Sequence, residues 1–261
     1  MNSEALREFW KYRELFYFLT WRDVKLRYKQ TVLGVLWVIL QPLLSVFVFT
    51  LFFGKLAKIP SDGTPYFVFY FCGLLPWIYF SATLSNSGNS LISNANLLTK
   101  VYFPRTALPA SAALSGLVDF FIGSTAFLCI VVYYHILPSW RLLLWPALVI
   151  PLVVLSLGVS MFLAALNVRY RDVKYAIPFL IQLWLFVTPV IYPMSIIPES
   201  YRVFVGLNPL SGIIEAFRAC IEPTKQVDWQ LLLISFSATL FIFVLGGVYF
   251  RRMERTFADI V

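Results

Sequence analysis

Catalysis or metal binding would require clustered acids, histidines or cysteines, and this sequence has few such residues. Its 261 residues include 13 Asp and Glu, one His and three Cys. The cysteines, Cys72, Cys129 and Cys220, do not form a metal-binding pattern or a disulfide framework. The sequence contains no G-x-x-x-x-G-K-S/T loop, no dinucleotide-binding glycine pattern and no H-E-x-x-H motif. We therefore predict no catalytic residue and no metal site, and we do not expect the chain to hydrolyse ATP by itself.

The remaining candidates are ionisable residues within or beside apolar segments. Asp119 lies about 17 Å along its predicted helix from the inner end, near the centre of a bilayer. An acid at that depth indicates a functional site, whereas the small neighbours Ser115, Gly116 and Gly123 favour a packing role in a helix interface. Both interpretations remain open. His135, at the predicted outer end of the same helix, is interpreted as an interfacial residue.

A second candidate site combines a helix-start signal with an ion pair. Glu215 and Arg218 stand three residues apart, and we predict that they pair on one helix face. They follow Asn208 and Pro209, which are typical of a helix start with Asn as the cap. The surrounding residues 194–228 are too many for a plain turn and too polar to span a membrane. We predict short re-entrant helices there, enclosed by protein or by a water-filled cavity.

The elements that position these residues must be membrane-spanning helices. Hydrophobic residues make up 60% of the chain, charged residues only 13%, and the mean hydropathy is +0.78. Crossing a bilayer takes about 20 apolar residues. Six runs reach or approach that length: residues 33–53, 66–85, 108–134, 142–168, 176–192 and 229–249. We predict an all-α integral membrane protein whose residues 1–261 form a single transmembrane domain.

The distribution of Lys and Arg predicts the orientation. Of the 21 basic residues, 15 lie in residues 1–32, 86–107, 169–175 and the tail after residue 249, and six lie in the alternate loops. Basic loops stay in the cytoplasm, so both termini are predicted to be cytoplasmic in a multi-pass protein of the bacterial inner membrane. This asymmetry and contact with anionic membrane lipid explain the net charge of +8, and we expect no nucleic-acid partner.

Two predicted cytoplasmic segments lie outside the spans. Residues 4–28 mix aromatic and charged side chains at helical spacing, which predicts an amphipathic helix in the membrane interface; a simple anchor and a docking surface both remain open. Residues 91–102 form a short amphipathic stretch with an apolar stripe. We predict a short cytoplasmic helix there, and an ordinary connector is the alternative.

Five motifs in these segments resemble those of the permease subunits of type-2 ABC exporters that move lipid-linked polysaccharides. They occur in the family's order along the chain: WRDVKLRYKQTVLG at residues 21–34, LTKVYFPR at 98–105, NVRYRDV at 167–173, TPVIYP at 188–193 and LNPL at 207–210. The resemblance implies a half-transporter, in which two copies of the chain form the pore with two copies of an ABC ATP-binding subunit. ATP and Mg²⁺ are then expected on that partner, with no cofactor on this chain.

The resemblance also implies roles for particular segments. Residues 4–20 become the interface helix and residues 22–31 the start of a gate helix at the inner mouth. Residues 91–102 hold the coupling helix that contacts the ATPase, with candidate contacts Leu91, Leu97, Leu98 and Tyr102. The re-entrant segment forms the outer gate, with candidates Asn208, Pro209, Glu215 and Arg218.

Substrate contacts are expected at the two chemical ends of a lipid-linked glycan. Its phosphate would meet the basic residues of the gate segment, Arg22, Lys25, Arg27 and Lys29. Topology alone would also place cations there, so both interpretations remain open. Its sugar faces would pack on aromatic side chains near the gates, for which the candidates are Trp37, Tyr66, Phe69, Tyr70 and Trp77.

Three other functions were weighed against polysaccharide export. A type-2 ABC permease for drugs or small amphiphiles would share the fold, but the motif order and short chain favour a polysaccharide, with O-antigen as the expected cargo. A membrane-embedded enzyme that transfers glycan or acyl groups would need a cluster of ionisable residues, which Asp119 and His135 do not make. A small channel would conduct without ATP or a partner.

Overall fold

The computed structural model describes residues 10–29, 34–100, 103–136, 140–170, 172–222, 225–254 and residue 257, without the side chains of Thr99 and Val203. Its regular structure within these ranges is helical. The ten α-helices are α1 (Arg13–Tyr28), α2 (Leu36–Phe49), α3 (Tyr66–Ser93), α4 (Ala95–Lys100), α5 (Ala107–Tyr133), α6 (Trp145–Arg169), α7 (Val173–Val187), α8 (Glu199–Gly206), α9 (Pro209–Ile221) and α10 (Trp229–Glu254). Part of the predicted interface helix, residues 4–9, lies outside the described residues.

Five helical segments in the described part of the chain are long and apolar enough to cross a membrane. They are Leu36–Leu56, Tyr66–Ser93, Ala107–Tyr133, Trp140–Arg169 and Trp229–Glu254, in which α2 continues as a π-helix over Thr50–Leu56 and α6 follows a 3₁₀ turn over Trp140–Leu144. Each of them corresponds to one of the six predicted spans. The prediction of a multi-pass, all-helical membrane protein is therefore confirmed.

The predicted span at residues 176–192 is a shorter helix. Helix α7 has 15 residues, or about 22 Å of rise, which is less than the hydrocarbon thickness of a bilayer. It ends because Thr188 precedes Pro189 and has extended backbone angles, as the clash with a following proline ring favours. The chain then continues through buried turns rather than as a helix. The fifth predicted span thus lies in a helix that is shorter than the other five, whereas α8 and α9, which meet at 107°, reach a spanning length only if they count as one bent span.

Helix α3 lies at the centre of the fold. Its residues from Val68 to Trp77 are all buried, because α2, α5, α6 and α9 surround it. Phe71 of α3 and one aromatic ring from each of α5, α6 and α9 form a continuous cluster: Phe71, Phe127, Trp145 and Phe217, with successive centroids 5.3, 5.7 and 4.6 Å apart. Because most side chains in this part of α3 pack in the core, the positions of the surrounding helices are set by their contacts with α3.

Helices α6 and α10 cross in direct backbone contact. A Cβ atom added to Gly246 would lie 2.0 Å from the carbonyl oxygen of Gly158, and one added to Gly158 would lie 2.6 Å from Cα of Phe243. No side chain fits in that space. In a membrane the hydrophobic effect does not drive helices together, because lipid tails are as apolar as the side chains. Small residues at helix crossings allow the close van der Waals packing that stabilises the contact instead.

Candidate functional site

Helix α1 packs along α5 in the same direction, so the N-terminal segment follows the third predicted span from its inner end. Near the start of the contact, Phe16 and Leu19 are buried in an inner apolar cluster with Ala107 and Leu108. One turn further, the Ser111 hydroxyl donates to Asp23 at 3.4 Å. We call this contact the α1–α5 seam, formed by residues 16–28 against residues 107–119.

The far end of the seam joins two residues that the sequence analysis treated separately. Arg27 donates from its guanidinium to Oδ2 of Asp119 and forms an ion pair with it, and the phenol of Tyr28 donates to Oδ1 of the same carboxylate. Arg27 also reaches the Ser115 hydroxyl at 3.5 Å. Burial raises the pKa of Tyr28, and the hydrogen bond to Asp119 raises it further, so the phenol remains a donor at neutral pH. Asp119 is therefore the polar anchor of α1.

The four predicted substrate cations divide into two classes. Arg22 is held by Asp23 at 2.8 Å, and Arg27 is held by Asp119. Lys25 and Lys29 are exposed, and the Lys25 ammonium lies 5.5 Å from the centroid of the Trp21 ring. In this structure the two lysines are open to an incoming anion, whereas the two arginines are occupied by carboxylates. The phosphate-binding role of all four stays a prediction.

The predicted coupling segment is a short helix at the inner tip of the chain. Helix α3 extends to Ser93, beyond the predicted end of its span, and α4 follows after a single turn residue. Leu91 and Leu98 are buried in the chain's own inner cluster and Leu97 packs at its edge, so none of the three is freely presented to a partner. Tyr102 lies outside the described residues. Among the described residues of this segment, Ile92 is the large apolar side chain that is exposed, at 41%.

The end of the fold that is predicted to face outward contains a buried ion pair on α9. Arg218 donates to Glu215 at 2.9 Å, and their side chains are only 3% and 7% exposed. The predicted pairing is therefore confirmed. The guanidinium also donates to the carbonyl of Val190 at 2.8 Å, and it lies 3.8 Å from the centroid of the Phe69 ring. A side chain on Gly73 would occupy the same space, because its Cβ would lie 2.8 Å from a guanidinium nitrogen.

Two residues that the sequence analysis did not identify extend this pair into a network. Lys225 lies 2.7 Å from the second oxygen of Glu215 and 3.5 Å from Asp62, which also accepts a hydrogen bond from Ser195 at 2.6 Å. The network thus joins α9 to three outer segments that are far apart in sequence. Local spacing cannot reveal such contacts, since Lys225 and Asp62 are 163 positions apart. Within the described ranges, no group of acids, histidines and cysteines is placed to hold a metal ion.

Asn208 fixes the bend that starts α9. Its side-chain oxygen accepts from the backbone N–H of Leu210 at 3.3 Å and from the indole of Trp184 at 3.1 Å, and its amide donates to Thr188 at 2.9 Å. Pro209 occupies the first turn. The predicted cap is confirmed, and it also ties the start of α9 to the end of α7.

The five predicted channel aromatics do not share one environment. Trp37 is 51% exposed, but Phe69, Tyr70 and Trp77 are buried within a single chain. Tyr66 is half-buried and stacks on Tyr70 with 6.3 Å between ring centroids. A side chain that packs in the core of one chain cannot line a channel in this conformation. This corrects the grouping, because the central position of α3 buries three of its four candidates.

The chain is similar along nearly its whole length to proteins of known name. The ABC-2 type transporter family matches residues 14–221. The O-antigen export system permease protein RfbA of Myxococcus xanthus is 32% identical over 256 residues, which cover 97% of this chain and 98% of that protein. RfbA of Klebsiella pneumoniae is 28% identical with 95% of each chain covered, and the polysialic acid transport protein KpsM of Escherichia coli is 24% identical with 89% and 91% covered.

Proposed function

Because the chain belongs to the ABC-2 type transporter family, we propose that it is the membrane-spanning half of an ATP-driven exporter of lipid-linked polysaccharide, with O-antigen as the cargo. The observation that carries this proposal is the similarity of about nine tenths or more of the chain to permeases named for the export of O-antigen and to one named for polysialic acid. These cargoes are both polysaccharides. The chain itself is a transport permease rather than an enzyme.

The working unit we propose contains two copies of this chain and two copies of an ABC ATP-binding subunit. ATP and Mg²⁺ bind to that subunit, since the present sequence has no phosphate-binding loop. The exposed tip around Ile92 supports a coupling contact between α3, α4 and the ATPase. The unit lies in the bacterial inner membrane with both termini in the cytoplasm, which the excess of basic residues on that side supports.

The outer gate we propose consists of α8 and α9. The 107° angle between these helices supports a re-entrant path that enters and leaves from the outer side. Helix α9 is buried along its full length, as backbone at membrane depth requires. Glu215 and Arg218 would hold this gate against α3 in the closed conformation, while α1 would be the interface and gate segment at the inner side.

Reconstitution tests the proposal directly. The chain and its ATP-binding subunit are placed in vesicles with a fluorescent lipid-linked glycan, and the glycan that reaches the opposite leaflet is quantified. We expect movement that requires ATP and both subunits, and no movement when the phosphate-binding lysine of the ATPase is replaced. Movement without ATP would identify a channel. ATP-dependent movement of small amphiphiles, but not of the glycan, would identify a permease of different specificity.

A further inference from the structure

The two ends of the α1–α5 seam differ in a way that determines how it can open. Phe16 and Leu19 are 7% and 3% exposed and pack among apolar side chains. At the other end, the side chains of Arg27 and Asp119 are 27% and 26% exposed. Separating the apolar end would expose hydrocarbon surface, whereas the groups at the polar end can exchange one hydrogen-bond partner for another. The seam is therefore expected to open from Arg27 and Asp119.

The partial exposure of this ion pair distinguishes it from the buried ion pair on α9. Arg218 and Glu215 are sealed by protein on all sides, with 3% and 7% exposure. About a quarter of the Arg27 side chain is not covered by the chain itself, so another group can reach it without unfolding of the core. Such a pair is suited to exchange rather than to permanent cross-linking.

The Asp119 carboxylate binds to α1 in the way that a bound anion would. Its two oxygens accept from two different donors, Arg27 and Tyr28. A phosphate group carries more acceptor oxygens and more charge, and arginine binds it with paired N–H donors. Lys25 and Lys29, exposed on the same segment, increase the local concentration of anions near the seam. Asp119 lies twelve residues after the start of α5, or about 18 Å along the helix, so an anion that replaces it would enter well beyond the inner end.

We propose that Asp119 is an internal competitor for the phosphate of the lipid-linked substrate: the phosphate takes the place of Asp119 on Arg27, and this exchange opens the α1–α5 seam. The inference rests on the proposed function, because that function supplies a phosphate-bearing lipid as substrate. Asp119 is a positioning residue, which holds Arg27 ready and closes the seam when no substrate is present. Arg27 is the ligand.

Spin labels across the seam can measure this exchange. Labels are attached at Leu26→Cys and Val118→Cys, whose native side chains are 63% and 36% exposed, in the assembled complex with its ATP-binding subunit. The exposed native thiol is first removed by Cys129→Ser, and Cys72 and Cys220 are buried. The complex is placed in phosphatidylcholine nanodiscs that contain increasing polyprenyl phosphate, or phosphatidylglycerol at the same mole fraction, without ATP. We expect the distance between labels to increase with polyprenyl phosphate and to remain unchanged with phosphatidylglycerol.

Two substitutions separate exchange from a purely structural ion pair. Asp119→Asn should widen the seam before any ligand is added, and it should lower the polyprenyl phosphate needed for the half-maximal change about tenfold, because the competitor is gone. Arg27→Gln should raise that amount about tenfold or abolish the response. Asp119→Glu should restore the closed distance. Thr125→Ala, which removes an exposed hydroxyl from α5 outside the seam, serves as the control and should respond like the parent protein.

A structural ion pair predicts that Asp119→Asn and Arg27→Gln behave alike, and that result would overturn the proposal. An equal response to phosphatidylglycerol would also overturn it, since bulk lipid rather than substrate would then occupy Arg27. The measurement involves neither ATP hydrolysis nor transport. A negative result therefore leaves polysaccharide export standing, and a failure of the export assay would not be mistaken for a failure of the exchange.

Discussion

The guanidinium of Arg218, on α9, lies over the ring of Phe69, on α3, with 3.8 Å between the guanidinium carbon and the ring centroid. Glu215 and the carbonyl of Val190 complete the surroundings of the charge. A cation in a desolvated site gains from the negative face of an aromatic ring as well as from its ion-pair partner. This side chain therefore links the proposed outer gate directly to the central helix α3.

Removing the partner of this buried charge should destabilise the chain. Glu215→Gln leaves Arg218 without its carboxylate, at an expected loss of about 3–5 kcal/mol in the free energy of unfolding, since an uncompensated charge stays buried. Thermal unfolding of the purified chain in detergent measures the effect. Glu199→Gln is the matched control, because Glu199 pairs with Arg202 at the same spacing but is 91% exposed. Equal melting temperatures for the two variants would contradict this assignment.

Adjacent glycines in α10 provide an internally controlled test of the crossing with α6. Gly246→Ala places a methyl group against the backbone of α6 at Gly158, and the helices must separate to accept it. Gly247→Ala meets nothing within 4 Å. Helix propensity favours both changes by about 1 kcal/mol, so a difference between them reports the crossing alone. We expect a lower melting temperature for Gly246→Ala and an unchanged or higher one for Gly247→Ala. If both variants are equally stable, the close contact is not maintained in the membrane.

Much of the architecture could be predicted from the sequence because its signals are local. A run of apolar residues specifies a spanning helix, and the spacing of Glu215 and Arg218 places them on one helix face. The start of α9 was equally predictable, because Asn208 and Pro209 form a sufficient capping signal by themselves. In each case the residues that determine the structure are close together in the sequence.

The features that could not be predicted depend on interactions between segments that are distant in the sequence. Asp119 and Arg27 are 92 positions apart, and no pattern in one sequence states which acid meets which base. Tyr70 and Trp77 are aromatic, as expected of residues that contact sugars in a channel, but they are buried because α3 is the central helix. The helix predicted to extend to residue 192 is a different case, because the local signal of Pro189 ends it at Val187 although the apolar run continues.

The exposed lysines of the gate segment should matter for substrate and not for topology. Lys25→Gln with Lys29→Gln leaves 13 inner basic residues against six outer ones, so insertion should be normal. We expect the double variant to assemble with the ATPase but to lose several-fold in glycan-stimulated ATP hydrolysis, because two accessible phosphate partners are gone. Lys174→Gln with Arg251→Gln removes the same inner charge elsewhere. If the control variant loses as much glycan-stimulated ATP hydrolysis, the loss is due to net charge and not to these two lysines.

Two substitutions near the end of α3 can distinguish a residue that couples the chain to the ATPase from one that stabilises the fold. Leu98 is 7% exposed and belongs to the inner apolar cluster, so Leu98→Asp should lower the melting temperature of the isolated chain by burying a charge. Ile92 is 41% exposed, and Ile92→Asp should leave that temperature unchanged. If the tip contacts the ATPase, the charge at residue 92 enters an apolar interface. Ile92→Asp should then weaken assembly or uncouple ATP hydrolysis from glycan movement, as size-exclusion chromatography and the vesicle assay would measure. Normal assembly and normal coupling in a stable Ile92→Asp protein would place the ATPase contact elsewhere.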